Sequence, residues 1–204
     1  MVKGFSKQEK QIIYSKLILE GKKLFSVFGL KKTSISQLTK AVGIAQGTFY
    51  QFFTSKEELY FDILEEEEKE IKRKLLDKMD EEPMTRKAFK NMLLFAISMI
   101  DQHPIIKSLF QEESMEHLVR KLPPERIQQH LEEDEFVLSP LLEKWQRSNV
   151  LVDKDPAIIT GAIRGFFMML LHKQEIGEEV YPDVVDLLAE CLSAGLVREG
   201  GNDR

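Results

Sequence analysis

Gln46, Gly47, Thr48, Tyr50 and Gln51 fall within six consecutive residues, bracketed by Ile44 and Phe53. Among side chains grouped this way, Thr48 and Gln51 can reach the edges of nucleic-acid bases, the Tyr50 hydroxyl can reach a phosphate, and Gly47 lets backbone come close to the partner. No Lys or Arg lies between Ile44 and Phe53, so a bidentate grip on guanine is absent and the two glutamines favour adenine. Enzymatic chemistry would need a nucleophile, a base or metal ligands converging on one point. The candidates here are scattered: Glu113 and His117 are four apart on one helical face, while His103, His130 and His172 lie elsewhere. The single cysteine, Cys191, has no partner for a disulfide or a zinc ribbon and sits in an apolar stripe, where a small core residue is expected. There is no glycine-rich phosphate loop. The expectation is therefore no enzyme, no metal and no cofactor.

The elements that must position these residues read as helices throughout. Apolar residues recur at spacings of three and four, and no run alternates as a strand would. A first helix is expected from Lys7 to Phe28, opened by a Ser6–Glu9 capping box, stopped by Gly29 and buried along Ile13, Leu17, Leu24 and Phe28. A second starts at Ser34 with Gln37 as its capping partner, buries Ile35, Leu38, Ala41 and Val42, and ends at Gly43. After the Gly43-Ile44 corner comes a third, Ala45 to Phe53. Ser55-Lys56-Glu57-Glu58 is the clearest capping box and opens a long fourth helix to Asp80. Its acidic run 65–68 reads as a solvated face, with Glu65–Lys69, Glu68–Lys72 and Glu70–Lys74 as supporting pairs. Glu81-Glu82-Pro83, His103-Pro104, Pro123-Pro124 and Asp155-Pro156 divide the rest, and the last helix runs from Pro182 to Val197. Two short helices joined at a glycine corner form a helix-turn-helix over residues 34–53, sized for a major groove.

Charge points the same way. The first 60 residues carry ten Lys against four acids, net +6, and the remainder is net −11, giving −5 over 204 residues. A basic head on an acidic body suggests that the head meets a polyanion.

Gly29-Leu30-Lys31-Lys32-Thr33-Ser34-Ile35, Leu38, the run from Ala41 to Phe53, and Ser55-Lys56-Glu57-Glu58-Leu59 together resemble the DNA-binding domain of the TetR family of bacterial transcriptional regulators. The resemblance covers residues 8–64. It implies an all-α chain of about nine helices, with a three-helix DNA-binding domain at 1–60 joined by a long helix to an effector-binding and dimerisation domain at 61–204. It implies that Thr33 and Ser34 meet phosphates, that Gln46, Gly47, Thr48, Tyr50 and Gln51 form the recognition helix, and that Lys56 grips the DNA backbone. Leu38, Phe49, Phe53 and Leu59 read as core. The chain departs from the family at Ala45, where a serine or threonine cap is usual, at a typical cost of about 1 kcal/mol, and at Thr39, where a small alanine is common.

In the body, Gly161 and Gly165 leave a small-residue stripe beside Ile158 and Ala162, with Phe166 and Met169 on the same helix, so another helix could approach closely. Val184, Val185, Leu188, Cys191, Leu192 and Gly195 repeat the pattern on the final helix. Such spacing equally suits an internal core; the resemblance implies a two-fold dimer. Phe95, Met99, Phe110, Met115, Trp145, Phe166 and Met169 would line a pocket if they converged, with Gln111, His117 or Arg164 as polar anchors, and that lining implies an apolar effector. Core packing is the alternative for each of them.

The expected partners are thus an inverted-repeat operator in double-stranded DNA, a second copy of the chain and a small molecule. A ligand-independent DNA-organising or protein-interaction dimer is the rival reading. No export signal is expected at the N-terminus, and the apolar stretch Ala157–Leu171, interrupted by Arg164, is too short for a bilayer and reads as a buried helix. The cytoplasm is the expected location.

Overall fold

The computed structural model describes residues 5–79, 83–109 and 114–198. Within them the chain is all-α, with eleven α-helices, where about nine were expected, and no strand beyond a single antiparallel bridge between Leu151 and Val197. The packing forms two compact units. The first comprises residues 1–70 and 103–122, the second 71–102 and 123–204. The expected boundary between 60 and 61 is therefore displaced, because residues 61–70 and a helical hairpin taken from the middle of the chain pack with the head.

In the first unit, α1 (Lys7–Lys32) opens on the expected capping box: Ser6 Oγ accepts from the Glu9 amide and the Glu9 carboxylate accepts from the Ser6 amide. Its regular course breaks at Gly29, whose φ of +72° is open to glycine and strained for other residues. The helix buries Ile13, Leu17, Ile18, Gly21 and Phe25. Phe28 and Leu24 do not belong to that face; Phe28 is 47% exposed, because Phe25 takes the core position one turn earlier. Gly21 explains how closely α4 (Lys56–Met79) approaches: a Cβ there would stand 2.9 Å from Ile63 Cδ1. Between them lie α2 (Ile35–Val42) and α3 (Gln46–Phe49). The hairpin of α6 (Pro104–Leu109) and α7 (Ser114–Lys121) completes the unit, with Ile105 and Leu118 fully buried.

The second unit holds the end of α4 from Ile71, α5 (Arg86–Gln102), α8 (Pro124–Arg147), α9 (Pro156–Met169), a 3-10 turn at Leu170–His172, α10 (Lys173–Ile176) and α11 (Tyr181–Leu196). The expected breaks at His103-Pro104, Pro123-Pro124 and Asp155-Pro156 all fall between helices, and Asp155 caps α9 through the Ala157 amide. The N-terminal turns of α5 are tied to α11: Lys90 reaches Asp186 at 2.9 Å and Glu190 at 3.0 Å, and Arg86 Nε donates to the Val197 carbonyl. α9 is not the buried helix expected. Ile159, Thr160 and Phe166 turn inward, while Ile158, Gly161, Ala162, Gly165 and Met168 remain exposed. Among the described residues no helix is long and apolar enough to cross a membrane.

Candidate nucleic-acid interface

The helix-turn-helix is built from local rules that hold in this sequence. Ser34 caps α2, its hydroxyl accepting from the Gln37 amide while the Gln37 side chain accepts from the Ser34 amide at 2.8 Å. Gly43 ends α2 in the left-handed conformation, φ +78°, and its amide closes onto Thr39. Leu38 and Phe49 are fully buried, and Phe49 packs edge-on against Tyr50 and beside Phe53. Burying the inner face fixes which side chains remain outside: Gln46, Gly47, Tyr50 and Gln51 are exposed and Thr48 is half-buried. These expected recognition residues therefore face solvent, and nothing lies within 4 Å of a Cβ placed on Gly47.

α3 is shorter than its expected span of Ala45 to Phe53. Ala45 offers no side-chain cap, and the residues beyond Phe49 continue as turns, with the amides of Gln51 and Phe52 donating to carbonyls three residues back. A missing cap, a glycine at 47, a β-branched threonine and four aromatics all weaken helix propagation here.

Two expected phosphate ligands are engaged elsewhere. The Thr33 hydroxyl donates to the Gly29 carbonyl at 2.8 Å and its side chain is buried, so it braces the α1–α2 turn and offers nothing outward. Lys56 donates from Nζ to the carbonyls of Leu30 (2.7 Å), Lys31 (3.2 Å) and Thr33 (2.8 Å), which uses all three ammonium protons. Ser34 is exposed beside them. Ser55 caps α4 as expected, accepting from the Glu58 amide, while the Glu58 carboxylate reaches back to Thr54 instead of closing the box on Ser55.

The face of α4 behind this surface holds residues that sequence reasoning missed. Glu57, Tyr60, Leu64, Glu67 and Ile71 are all buried, at intervals of three and four. Tyr60 donates to the Ile105 carbonyl at 2.7 Å and pairs with Ser108; burial pushes its phenol up to about 12, with the Ser108 hydrogen bond working the other way. Glu67 is paired with Lys22 and with His103, and Glu57 meets His117 Nε2 at 3.3 Å. The acidic run is thus not a uniformly solvated face. Glu66 is exposed and Glu67 is 4% exposed. The spacing of 57, 60, 64, 67 and 71 was the available signal, hidden because two of its members are carboxylates.

The expected pocket residues are divided between the two units. His117 is tied to Glu57 in the first unit, where half-buried Met115 also lies, whereas Phe95, Met99, Trp145, Phe166 and Met169 belong to the second. Phe95 lies beneath the Lys78 ammonium at 4.2 Å, Met99, Trp145 and Phe166 are buried, and Arg164 hydrogen-bonds to the Leu131 carbonyl. Phe110, Gln111 and Glu113 lie outside the described residues. A hollow of about 470 Å³ in the second unit is polar, lined by Glu143, Gln146, Arg147, Asn149, Asp153 and Arg198, and includes none of them.

The dimer residues are better grouped. Ile158, Gly161, Ala162 and Gly165 of α9 are exposed, as are Leu188, Cys191 and Gly195 of α11, with Val184 and Leu192 half-buried and Val185 turned inward. Cys191 is therefore a surface thiol and not the core residue expected. Met168 and Leu187, at 52% and 60% exposure, extend the same apolar face and were not anticipated.

Residues 17–63 match the model of the bacterial regulatory proteins of the tetR family. The uncharacterized HTH-type transcriptional regulator YhgD of Bacillus subtilis (strain 168) is 33% identical over 98 residues, 48% of this chain and 51% of that protein. The match thus spans about half the length of this curated relative. Among solved structures, a TetR-family transcriptional regulator from Syntrophomonas wolfei superposes with a TM-score of 0.66 at 18% identity, covering 94% of this chain and 100% of that one. NalD, the secondary repressor of the MexAB-OprM multidrug efflux pump in Pseudomonas aeruginosa, gives 0.55 at 19% identity, with 94% and 100% covered. At these identities the structures establish the fold.

Proposed function

We propose, for a chain whose residues 17–63 match the tetR family model, that it belongs to that family, represses transcription by binding an inverted-repeat operator as a homodimer and leaves it when a small apolar molecule occupies the body. The observation that carries this reading is the exposure of Gln46 and Gly47 on α3, and of Tyr50 and Gln51 in the turn that follows it, around the buried Phe49. Hydrogen-bonding side chains with a glycine between them suit a groove, and an obstructing dimer needs no contact with polymerase. The apolar faces of α9 and α11 support self-association, since exposed Ile158, Met168 and Leu187 find partners in a second copy of the same face. Two recognition helices then meet successive major grooves about 34 Å apart. The description of NalD as a repressor agrees with this direction of control. The effector would lie in the second unit among Phe95, Met99, Trp145, Phe166 and Met169, and it acts only through unequal affinity for the DNA-competent and DNA-incompetent forms. The site of action is the nucleoid, in the cytoplasm.

Selection of bound fragments from random duplex DNA by the purified protein, followed by sequencing, tests the reading. A recovered inverted repeat supports it and supplies the operator for effector screening. Binding that is sensitive to salt but blind to sequence would favour the ligand-independent DNA-organising dimer instead.

A further inference from the structure

We infer that Thr160 on α9 is the polar anchor of the effector site, and that the effector is an uncharged small molecule with an apolar body and a hydroxyl or carbonyl head. The inference rests on the effector-binding reading above and deepens it by naming the chemical class of the ligand.

Thr160 is 4% exposed, and its hydroxyl is the one buried side-chain polar atom among the described residues with no hydrogen-bond partner. Thr39 and Ser193 are the direct comparison. Each is a buried hydroxyl on a helix, and each donates to a carbonyl of its own helix, Thr39 to Ile35 at 2.9 Å and Ser193 to Glu190 at 2.8 Å. The same local remedy is open to Thr160 through the Pro156 carbonyl one turn back, yet no such bond forms. A buried hydroxyl left this way has lost its hydration and gained nothing in return. A ligand group that bonds to it recovers that loss on binding, and a threonine hydroxyl serves an acceptor or a donor equally well.

The position of Thr160 on the helix defines what else the ligand meets. Thr160, Arg164 and Phe167 stand three and four residues apart on one flank of α9, and that flank faces α8, because Arg164 donates to the Leu131 carbonyl. The adjoining inward face carries the buried Ile159 and Phe166, and α8, which packs on α9, buries Leu142 and Trp145. These side chains set an apolar body for the ligand, and the neutral hydroxyl sets its head. A charged head would give up far more hydration in this layer than one hydroxyl returns. Of the anchors expected from the sequence, His117 is tied to Glu57 in the first unit and Arg164 is bonded to the Leu131 carbonyl. Thr160 was not among them, since a threonine in an apolar helix gives no sign in the sequence of whether its hydroxyl finds a carbonyl.

The experiment uses probes of matched shape that differ only in exchanging a hydroxyl for a methyl: p-cresol against p-xylene, and 2-naphthol against 2-methylnaphthalene. Equilibrium dialysis at neutral pH measures their affinities for the full chain as wild type, Thr160→Val and Thr160→Ser. The methyl compounds are the more hydrophobic, so the quantity read is the ratio of affinities within each pair. That ratio, hydroxyl over methyl, is expected to fall about tenfold in Thr160→Val and to stay within about twofold of the wild type in Thr160→Ser. A readout without ligand accompanies it: Thr160→Val should unfold at a higher urea concentration than the wild type, because a methyl in place of the hydroxyl ends the cost of burying it. A lower urea midpoint for Thr160→Val, a ratio that this substitution leaves unchanged, or no binding of any of the probes overturns the inference. Binding of the wild type to the selected duplex keeps the two readings apart. Sequence-specific DNA binding with an unchanged probe ratio overturns the anchor alone, whereas the expected change in ratio with DNA binding that is blind to sequence overturns the operator reading and leaves Thr160 as a ligand anchor.

Discussion

The Tyr60 ring is fully buried and its hydroxyl lies between the Ile105 carbonyl and the Ser108 hydroxyl. Ionising it there would place a charge in an apolar interior, which is why its folded pKa rises to about 12. An unfolded tyrosine titrates near 10. Between pH 10 and 12 the unfolded chain therefore gives up a proton that the folded chain keeps, and stability falls as pH rises through that window, by about 2–3 kcal/mol from this residue. Below pH 10 its contribution is constant. Urea unfolding across that range checks the sign, and Tyr60→Phe should remove this component while costing only about 1 kcal/mol at neutral pH, because Ser108 still donates to the Ile105 carbonyl. Ala45 is the opposite case, a position where the native residue contributes less than it could. Its backbone is already extended, φ −71° and ψ 151°, as a helix cap requires. Ala45→Ser should raise the stability of the head by about 1 kcal/mol, read as a higher urea midpoint.

At the scale of the element, α4 shows how a helix can look polar and still be a core helix. Its face at 57, 60, 64, 67 and 71 is buried although two of the five residues are glutamates, because His117 receives Glu57, and Lys22 and His103 receive Glu67. Adjacent residues of one acidic run consequently carry different energies. Glu67→Ala should lower stability by about 2 kcal/mol, less than for a fully enclosed pair, since the half-exposed Lys22 can rehydrate. Glu66→Ala should change it by less than about 0.5 kcal/mol, as surface substitutions do. Equal effects in urea unfolding would show that the run acts as a solvated face after all. α3 makes the converse point. Four helical residues are too few to be stable alone, and the segment is held by Phe49 and Phe53 in the core, with Tyr14 stacked on Phe53.

For the whole molecule the decisive surface is the apolar face shared by α9 and α11. Isolated exposed apolar residues are ordinary, but Ile158, Met168, Leu187 and Leu188 stand on two neighbouring helices of one unit with glycines at 161, 165 and 195 between them. Close helix packing uses such small residues. Leu187→Asp should convert the proposed dimer to a monomer in sedimentation while preserving helical content, because Leu187 points away from its own core. Under the proposed function it should also weaken binding to the selected duplex at low concentration. The charge asymmetry belongs to the sequence order and not to the two packed units: residues 1–60 carry net +6 and residues 61–204 net −11, so the segment holding the helix-turn-helix is the favourable approach for a polyanion.

The helices, their caps and their breaks were legible in the sequence because they depend on neighbours three or four residues away. Ser6, Ser34, Gly29, Gly43 and the breaks before Pro104, Pro124 and Pro156 act locally, and each lies where its spacing implied, whereas Glu81 and Glu82 of the expected break at Glu81-Glu82-Pro83 lie outside the described residues. The outward row on α3 was legible for the same reason, once Phe49 was assigned to the core. Lys56, Thr33, Glu67 and Cys191 were not legible, since each is decided by groups distant in the chain or by the side of a helix left uncovered. Lys56 finds carbonyls 23 to 26 residues away, and Glu67 finds a histidine 36 residues on. A charge in a sequence shows that a partner is needed. Only the packed structure decides whether that partner is solvent, a phosphate or the protein's own backbone, because burial and distance set the energy of a charge, and neither is a property of local sequence.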